Sequence, residues 1–220
     1  MDFEFFTRHL QSALGKSLPG TDAQWEMASS DRMIKNFPRK KRSDSKLAAV
    51  LILLYPVNNK ICTLFIQRPV YDGVHSGQIS FPGGKMEKED RGLTDTAIRE
   101  ACEEVGLCRD KLQILGSLTP LFIPVSNIEV SPVVAYCKTR PSFIPDSNEV
   151  VSLIEAALAN FTSPGIVKEK AMTVRDEVID VKYYDYEGIV IWGATAMILH
   201  ELLLIMKRNG LLPALVNPHP

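Results

Sequence analysis

No CxxC pair occurs in this chain of 220 residues; its four cysteines, Cys62, Cys102, Cys108 and Cys137, are scattered. They read as reduced and mostly structural thiols, which fits a cytoplasmic protein. An excess of one charge sign is also missing. With 25 Lys and Arg against 26 Asp and Glu, the formal net charge is -1. That removes any whole-surface case for nucleic acid or an anionic membrane as partner. The opening MDFEFFTRHLQ lacks the basic region and apolar run of a signal peptide. No apolar run is long enough to span a bilayer, and the greasy Ile198 to Met206 is interrupted by His200 and Glu201. There is no GxxxxGK[ST] phosphate loop, no internal repeat and no low-complexity block.

What is present suits one domain with a substantial core, 45% of residues being hydrophobic and 23% charged. Asp2 to Leu14 reads as a short amphipathic helix stopped by Pro19-Gly20. Thr21 to Arg42 reads as irregular, with Trp25 and Met27 as anchors, and ends in the basic run Arg39-Lys40-Lys41-Arg42. Ala48 to Tyr55 and Ile61 to Gln67 form a predicted hairpin. Tyr71 to Gln78, rich in glycine and polar groups, suits a binding loop. Leu112 to Leu118 and Ile128 to Cys137 are further strands, with Pro132 pointing to an edge or bulge and Thr119 to Asn127 as a loop between them. Ser147 to Ala157 has helix-like spacing, Ile166 to Val174 and Glu177 to Tyr184 read as strands, and Gly193 to Met206 as a late helix, while Trp192 just before it reads as a core anchor. Strands with one central and one late helix predict an α/β protein, a mixed sheet between helices.

The chemistry concentrates in HSGQISFPGGKMEKEDRGLTDTAIREACEEVGL, from His75 to Leu107. After the Phe81-Pro82-Gly83-Gly84 turn, a helix from about Thr96 to Val105 carries Arg99, Glu100, Glu103 and Glu104, with Thr94 or Asp95 as its cap and Gly106 as its stop. Residues at i, i+3 and i+4 share a helical face, so the three glutamates converge. Converging like charges call for a compensating cation, and carboxylate oxygens suit a hard divalent one. A merely solvated acidic face is the alternative, but carboxylates have the wrong sign for holding phosphate directly, so with the preceding turn the residues favour metal-assisted hydrolysis or transfer at a phosphoanhydride. Arg99 has the donor fork to orient the acids.

Gly84 to Leu107 resembles the Nudix box. Its distal half reads Arg99-Glu100-Ala101-x-Glu103-Glu104-x-Gly106-Leu107, with a small Ala101 in the first aliphatic place. The proximal half is one residue longer than the general pattern. The acidic position falls on Asp90 counting from Gly84, and on Arg91 counting back from Arg99. Upstream, Leu64-Phe65-Ile66-Gln67-Arg68, Gly77 and Phe81 to Gly84 resemble the second motif of Nudix enzymes acting on coenzyme A, although Gly73 stands where that motif has an arginine. His75 or the basic run are the candidates to replace it.

The resemblance implies a Nudix-type α/β/α sandwich across 1–220, with a helical extension over about 1–46. It implies hydrolysis of coenzyme A or its acyl forms to 3′,5′-adenosine bisphosphate and 4′-phosphopantetheine. ADP-ribose or another nucleoside diphosphate derivative is the alternative substrate, and an inactive ligand-binding module the second alternative. Glu100, Glu103 and Glu104, with the Gly84 carbonyl, would hold Mg2+ or Mn2+, while Arg99 orients them. Glu103 or Glu104 would take the proton of the attacking water, with Glu149 a weaker outside candidate. Arg68, His75, Gly77 and Phe81 would contact substrate. A homodimer is possible through either terminal helix.

Overall fold

The computed structural model describes residues 2–34, 41–72, 75–174 and 176–212. Arg39, Lys40, Gly73 and the tail from 213 lie outside them. In chain order, α1 (Phe3–Leu14), α2 (Gly20–Trp25) and α3 (Ser30–Ile34) precede β1 (Lys46–Val57), β2 (Lys60–Gln67), β3 (Ile79–Ser80) and β4 (Gly83–Lys85). Next come α4 (Leu93–Val105), β5 (Gln113–Ser117), β6 (Leu121–Ile123), β7 (Ile128–Tyr136) and β8 (Ser152–Ala157). The described chain ends with β9 (Val167–Val174), β10 (Glu177–Tyr186), β11 (Ile189–Trp192) and α5 (Gly193–Arg208).

The expected hairpin is present and tighter than expected: Val57 pairs with Lys60, and Asn58 and Asn59 turn the chain with φ of 47° and 62°. Asparagine tolerates that left-handed region, and this twist suits a two-residue hairpin loop. β1 lies at the middle of the larger sheet, antiparallel to β2 and β4 and parallel to β7. A strand covered on both faces must be apolar throughout, which explains AAVLILLY. Its odd residues Ala49, Leu51, Leu53 and Tyr55 share a core with Ala97, Ala101 and Val105 of α4. Its even residues Ala48, Ile52 and Leu54 face the core built on Phe6 and Leu10 of α1 and Leu199 and Leu202 of α5. The mixed sheet is thus flanked by helices on both faces, the α/β/α arrangement. β9, β10 and β11 form a second, antiparallel sheet.

Four expectations change. The part of Thr21 to Arg42 up to Ile34 is helical in two places rather than irregular, as α2 and α3, and α2 packs on α5: Gln24 Nε2 donates to the buried Glu201 carboxylate at 2.9 Å. Ser147 to Ala157 is not a helix; residues 147–149 turn and β8 adds to β2, from Cys62↔Ala157 to Gln67↔Ser152, because β2 would otherwise be an open edge there. The Thr119 to Asn127 loop contains β6. β7 is interior, not an edge; Pro132 falls between the residues paired to β6 and those paired to β5, and its carbonyl accepts from Leu118 N at 2.9 Å. A residue's N–H and C=O face the same side of a strand, so the missing donor falls at that break in the ladder. Among the described residues no helix is long and apolar enough to cross a membrane.

Candidate active site

Helix α4 begins earlier than the sequence suggests, at Leu93, and no side chain caps it; Gly92 occupies the N-cap. It ends as expected on Gly106, whose φ of 68° is the left-handed cap. Because Ala97, Ala101 and Val105 are pinned to β1, the face carrying Glu100, Glu103 and Glu104 is turned toward β4.

The three carboxylates meet different surroundings. Glu104 is 1% exposed; its Oε2 accepts from Gly83 N at 2.7 Å and its Oε1 lies 3.4 Å from Arg68 Nη2. Burial pushes its carboxyl up to about 7, with Arg68 and the Gly83 amide pulling the other way. Glu100 is also raised by burial, opposed by Arg99. Glu103 has a side chain 57% exposed and accepts from Arg99 Nη1 at 2.9 Å.

Two glycines permit this approach. A Cβ at Gly83, φ 152°, would overlap the Ala49 carbonyl and Val50 of the neighbouring strand. A Cβ at Gly84 would overlap the Glu100 carboxylate. The Glu100 carboxylate therefore lies where a side chain at 84 would stand.

Arg99 is the hub of the cluster. Its Nε and Nη2 each donate at 3.0 Å to the two oxygens of Asp90, Nη2 also reaches the Lys85 carbonyl at 3.0 Å, and Nη1 donates to Glu100 at 3.1 Å as well as to Glu103. Asp90, with a side chain 4% exposed, also accepts from Thr96 Oγ1 and Glu87 N at 2.9 Å. The Arg99 fork holds its carboxyl well below the usual carboxylate range. The acidic member of the proximal half is thus Asp90, not Arg91, whose side chain is 91% exposed. The extra residue lies between Asp90 and Arg99.

The upstream residues divide. Arg68 Nη2 donates to the Gly83 carbonyl at 2.7 Å and its Nε to Ser80 Oγ at 3.1 Å, so it braces the turn and Glu104 together. His75, with φ 71°, bonds through Nδ1 to Gln78 Oε1 at 3.0 Å, and Gly77, with φ 66°, donates to the Pro69 carbonyl at 3.0 Å. Phe81 is 1% exposed and its ring packs on Phe65 at 4.7 Å, forming the cavity wall from the core side. A cavity of about 530 Å³ is lined by Arg68, His75, Gln78, Gly83 and Gly84, together with Lys46, Tyr71 and Lys85, which sequence reasoning did not single out. Lys85, directly after Gly84 at the start of the box, was the one legible from the sequence. Glu149 lies in an exposed turn, and its charge raises both Glu100 and Glu104. Trp192, expected as a core anchor, is only partly buried and lines a second cavity.

The donors that could hold a metal are all oxygen, the set suited to a hard divalent cation, and the Gly84 cradle brings the Glu100 carboxylate against the β4 backbone. Among the described residues, no three His, Cys, Asp or Glu side chains are gathered as they stand to hold one. The reason is local: Arg99 holds Glu100 and Glu103, while Arg68 and Gly83 hold Glu104.

The chain is similar to known proteins. The family model described as the NUDIX domain matches residues 45–189, more than half of the chain. An uncharacterised Nudix hydrolase, NudL of Photorhabdus laumondii, is 32% identical over 165 residues, which span 75% of this chain and 88% of that protein. NudL of Pectobacterium atrosepticum is 36% identical over 135 residues, 59% of this chain and 67% of the relative. The crystal structure of RenU, a Nudix hydrolase from M. smegmatis, overlays with a TM-score of 0.49 at 13% identity, over 80% of this chain and 89% of that one.

Proposed function

We propose, from the premise that this chain belongs to the Nudix hydrolases, that its substrate among nucleoside diphosphate derivatives is coenzyme A or an acyl form of it. The products are 3′,5′-adenosine bisphosphate and 4′-phosphopantetheine or its acyl form. The observation carrying this reading is that the residues of the upstream coenzyme-associated stretch, Arg68, His75 and Phe81, border the same cavity of about 530 Å³ as Gly83 and Gly84 of the box. Lys46 and Lys85 on that wall supply positive charge for a diphosphate.

In this reading Glu100, Glu103 and Glu104, with the Gly84 carbonyl, hold Mg2+ or Mn2+, and Glu149 is a further oxygen donor within electrostatic reach. The cation, when bound, neutralises diphosphate charge and makes water a better nucleophile. The chain's own residues do the rest. Arg99, anchored on Asp90 and the Lys85 carbonyl, sets the positions of Glu100 and Glu103. Arg68 and Gly83 N hold Glu104 against β4. Glu103 or Glu104 accepts the proton that the attacking water loses, and the water's oxygen bonds to phosphorus as the anhydride P–O bond breaks.

Incubation with coenzyme A, ADP-ribose and NADH under Mg2+ or Mn2+ tests the substrate. The expected result is the highest kcat/KM for coenzyme A, and equal or better cleavage of ADP-ribose overturns it.

A further inference from the structure

A second cavity of about 880 Å³ adjoins the first, and the two share His75, Gln78, Ile123 and Ala194 as walls. The walls of the larger one mix apolar groups, among them Ile79, Ile154, Met172 and Trp192, with polar and charged ones. Two cationic side chains, Arg32 of α3 and Lys170 of β9, also line it. Arg32 is the unusual one. Among the described residues the hydrogen-bond partner of its guanidinium is a thioether, Met197 Sδ at 3.3 Å. Asp31 is spent on Ser29 Oγ and Glu177 engages another group, so neither acid on this wall forms an ion pair with it among the described residues. Burial lowers its pKa, with the nearby Asp31 charge pulling the other way. Lys170 rests its ammonium over the Tyr183 ring at 4.8 Å. A partly buried guanidinium that lines a cavity and bonds to a soft, neutral partner is short of the oxyanion its planar fork matches.

We infer that Arg32, aided by Lys170, forms an anion subsite for an oxyanion that the substrate carries away from its diphosphate. The shared chemistry is a phosphate monoester on the nucleoside or a carboxylate at the end of an acyl arm. The inference rests on the proposed reading for the orientation of the substrate, and it deepens that reading: a plain ADP-ribosyl substrate leaves the subsite empty. Arg32 lies ahead of the segment that matches the family model, residues 45–189, so the α1 to α3 segment would contribute to specificity as well as to packing.

The test uses binding first, without turnover. Calorimetric titration of the full chain in EDTA compares adenosine 3′,5′-bisphosphate with adenosine 5′-monophosphate. The bisphosphate should bind about tenfold or more tightly, as one charge-assisted contact requires, and Arg32→Met should erase most of that difference while Arg32→Lys keeps part of it. The kinetic arm compares kcat/KM for coenzyme A with 3′-dephospho-coenzyme A, and for succinyl- with acetyl-coenzyme A. Loss in Arg32→Met confined to the first pair assigns the subsite to the phosphate, and loss confined to the second pair assigns it to the carboxylate. If coenzyme A is not cleaved, NADPH against NADH judges the subsite independently of the substrate reading. Equal losses on both members of every pair, or no loss on any, overturn the inference.

Discussion

Arg68 Nη2 stands 3.4 Å from Glu104 Oε1 and donates to the Gly83 carbonyl at 2.7 Å, while Gly83 N donates to the other oxygen of the same carboxylate. The upstream motif and the box thus meet in one closed set of contacts beneath the cavity. Arg68→Met should raise the Glu104 carboxyl further, so that it takes up a proton, and lower stability above pH 7 by about 1–3 kcal/mol in denaturant unfolding. Arg68→Lys should recover part of it. A rise in KM with unchanged stability would instead make Arg68 purely a substrate contact.

Glu103, with a side chain 57% exposed, is held by Arg99 among the described residues. Glu103→Gln should keep the melting temperature within a degree or two, as surface changes do, and lower kcat by about 10²-fold or more if it serves as base or ligand. Circular dichroism and a metal-dependent turnover assay on the same preparation separate the two effects. Undiminished kcat would remove Glu103 from the reaction.

Gly84→Ala places a methyl group in the Glu100 carboxylate. The carboxylate is the far end of a flexible side chain, so the expected response is its displacement rather than a parting of β4 and α4. Thermal unfolding with and without Mn2+ should show a smaller metal-induced rise in melting temperature, with little change in its absence. Gly15→Ala, where φ is -78° and a Cβ meets only ordinary contacts at 3.7 and 3.8 Å, is the control.

Asp90 and Glu104 give stability opposite dependences on pH. Asp90 is held below its ordinary 3.8 by Arg99, so its contribution is complete above that value and is lost as pH falls through the lower folded value. Asp90→Asn should therefore destabilise the protein at pH 7, with the gap to wild type closing only in strong acid. Glu104 is raised from 4.5 to about 7, so the metal-free fold is most favoured below 4.5 and loses that increment as pH rises to about 7. Glu104→Gln should flatten this slope in EDTA. Melting temperatures from pH 2 to 9 read both windows, and a metal-free melting temperature that rises between pH 5 and 7 more steeply in wild type than in Glu104→Gln would contradict the second.

The sequence by itself determined the central strands, the hairpin, the acidic helix and its glycine stop. Each is written in local terms: an unbroken apolar run, two asparagines at a turn, glutamates at i, i+3 and i+4, a left-handed cap. It also brought Arg99, Glu100, Glu103, Glu104, Gly83 and Gly84 into one reading. Only tertiary structure decided that Ser152 to Ala157 extends the sheet, because β2 offered an edge to pair and helix-like spacing says nothing about an edge. Only tertiary structure chose Asp90 over Arg91, since a bidentate pair spanning nine residues depends on how the loop folds back. Arg68 shows the same divide. Its position in the motif marked it for the substrate, but distance and burial set it against Glu104, where a charge excluded from water needs its opposite close by.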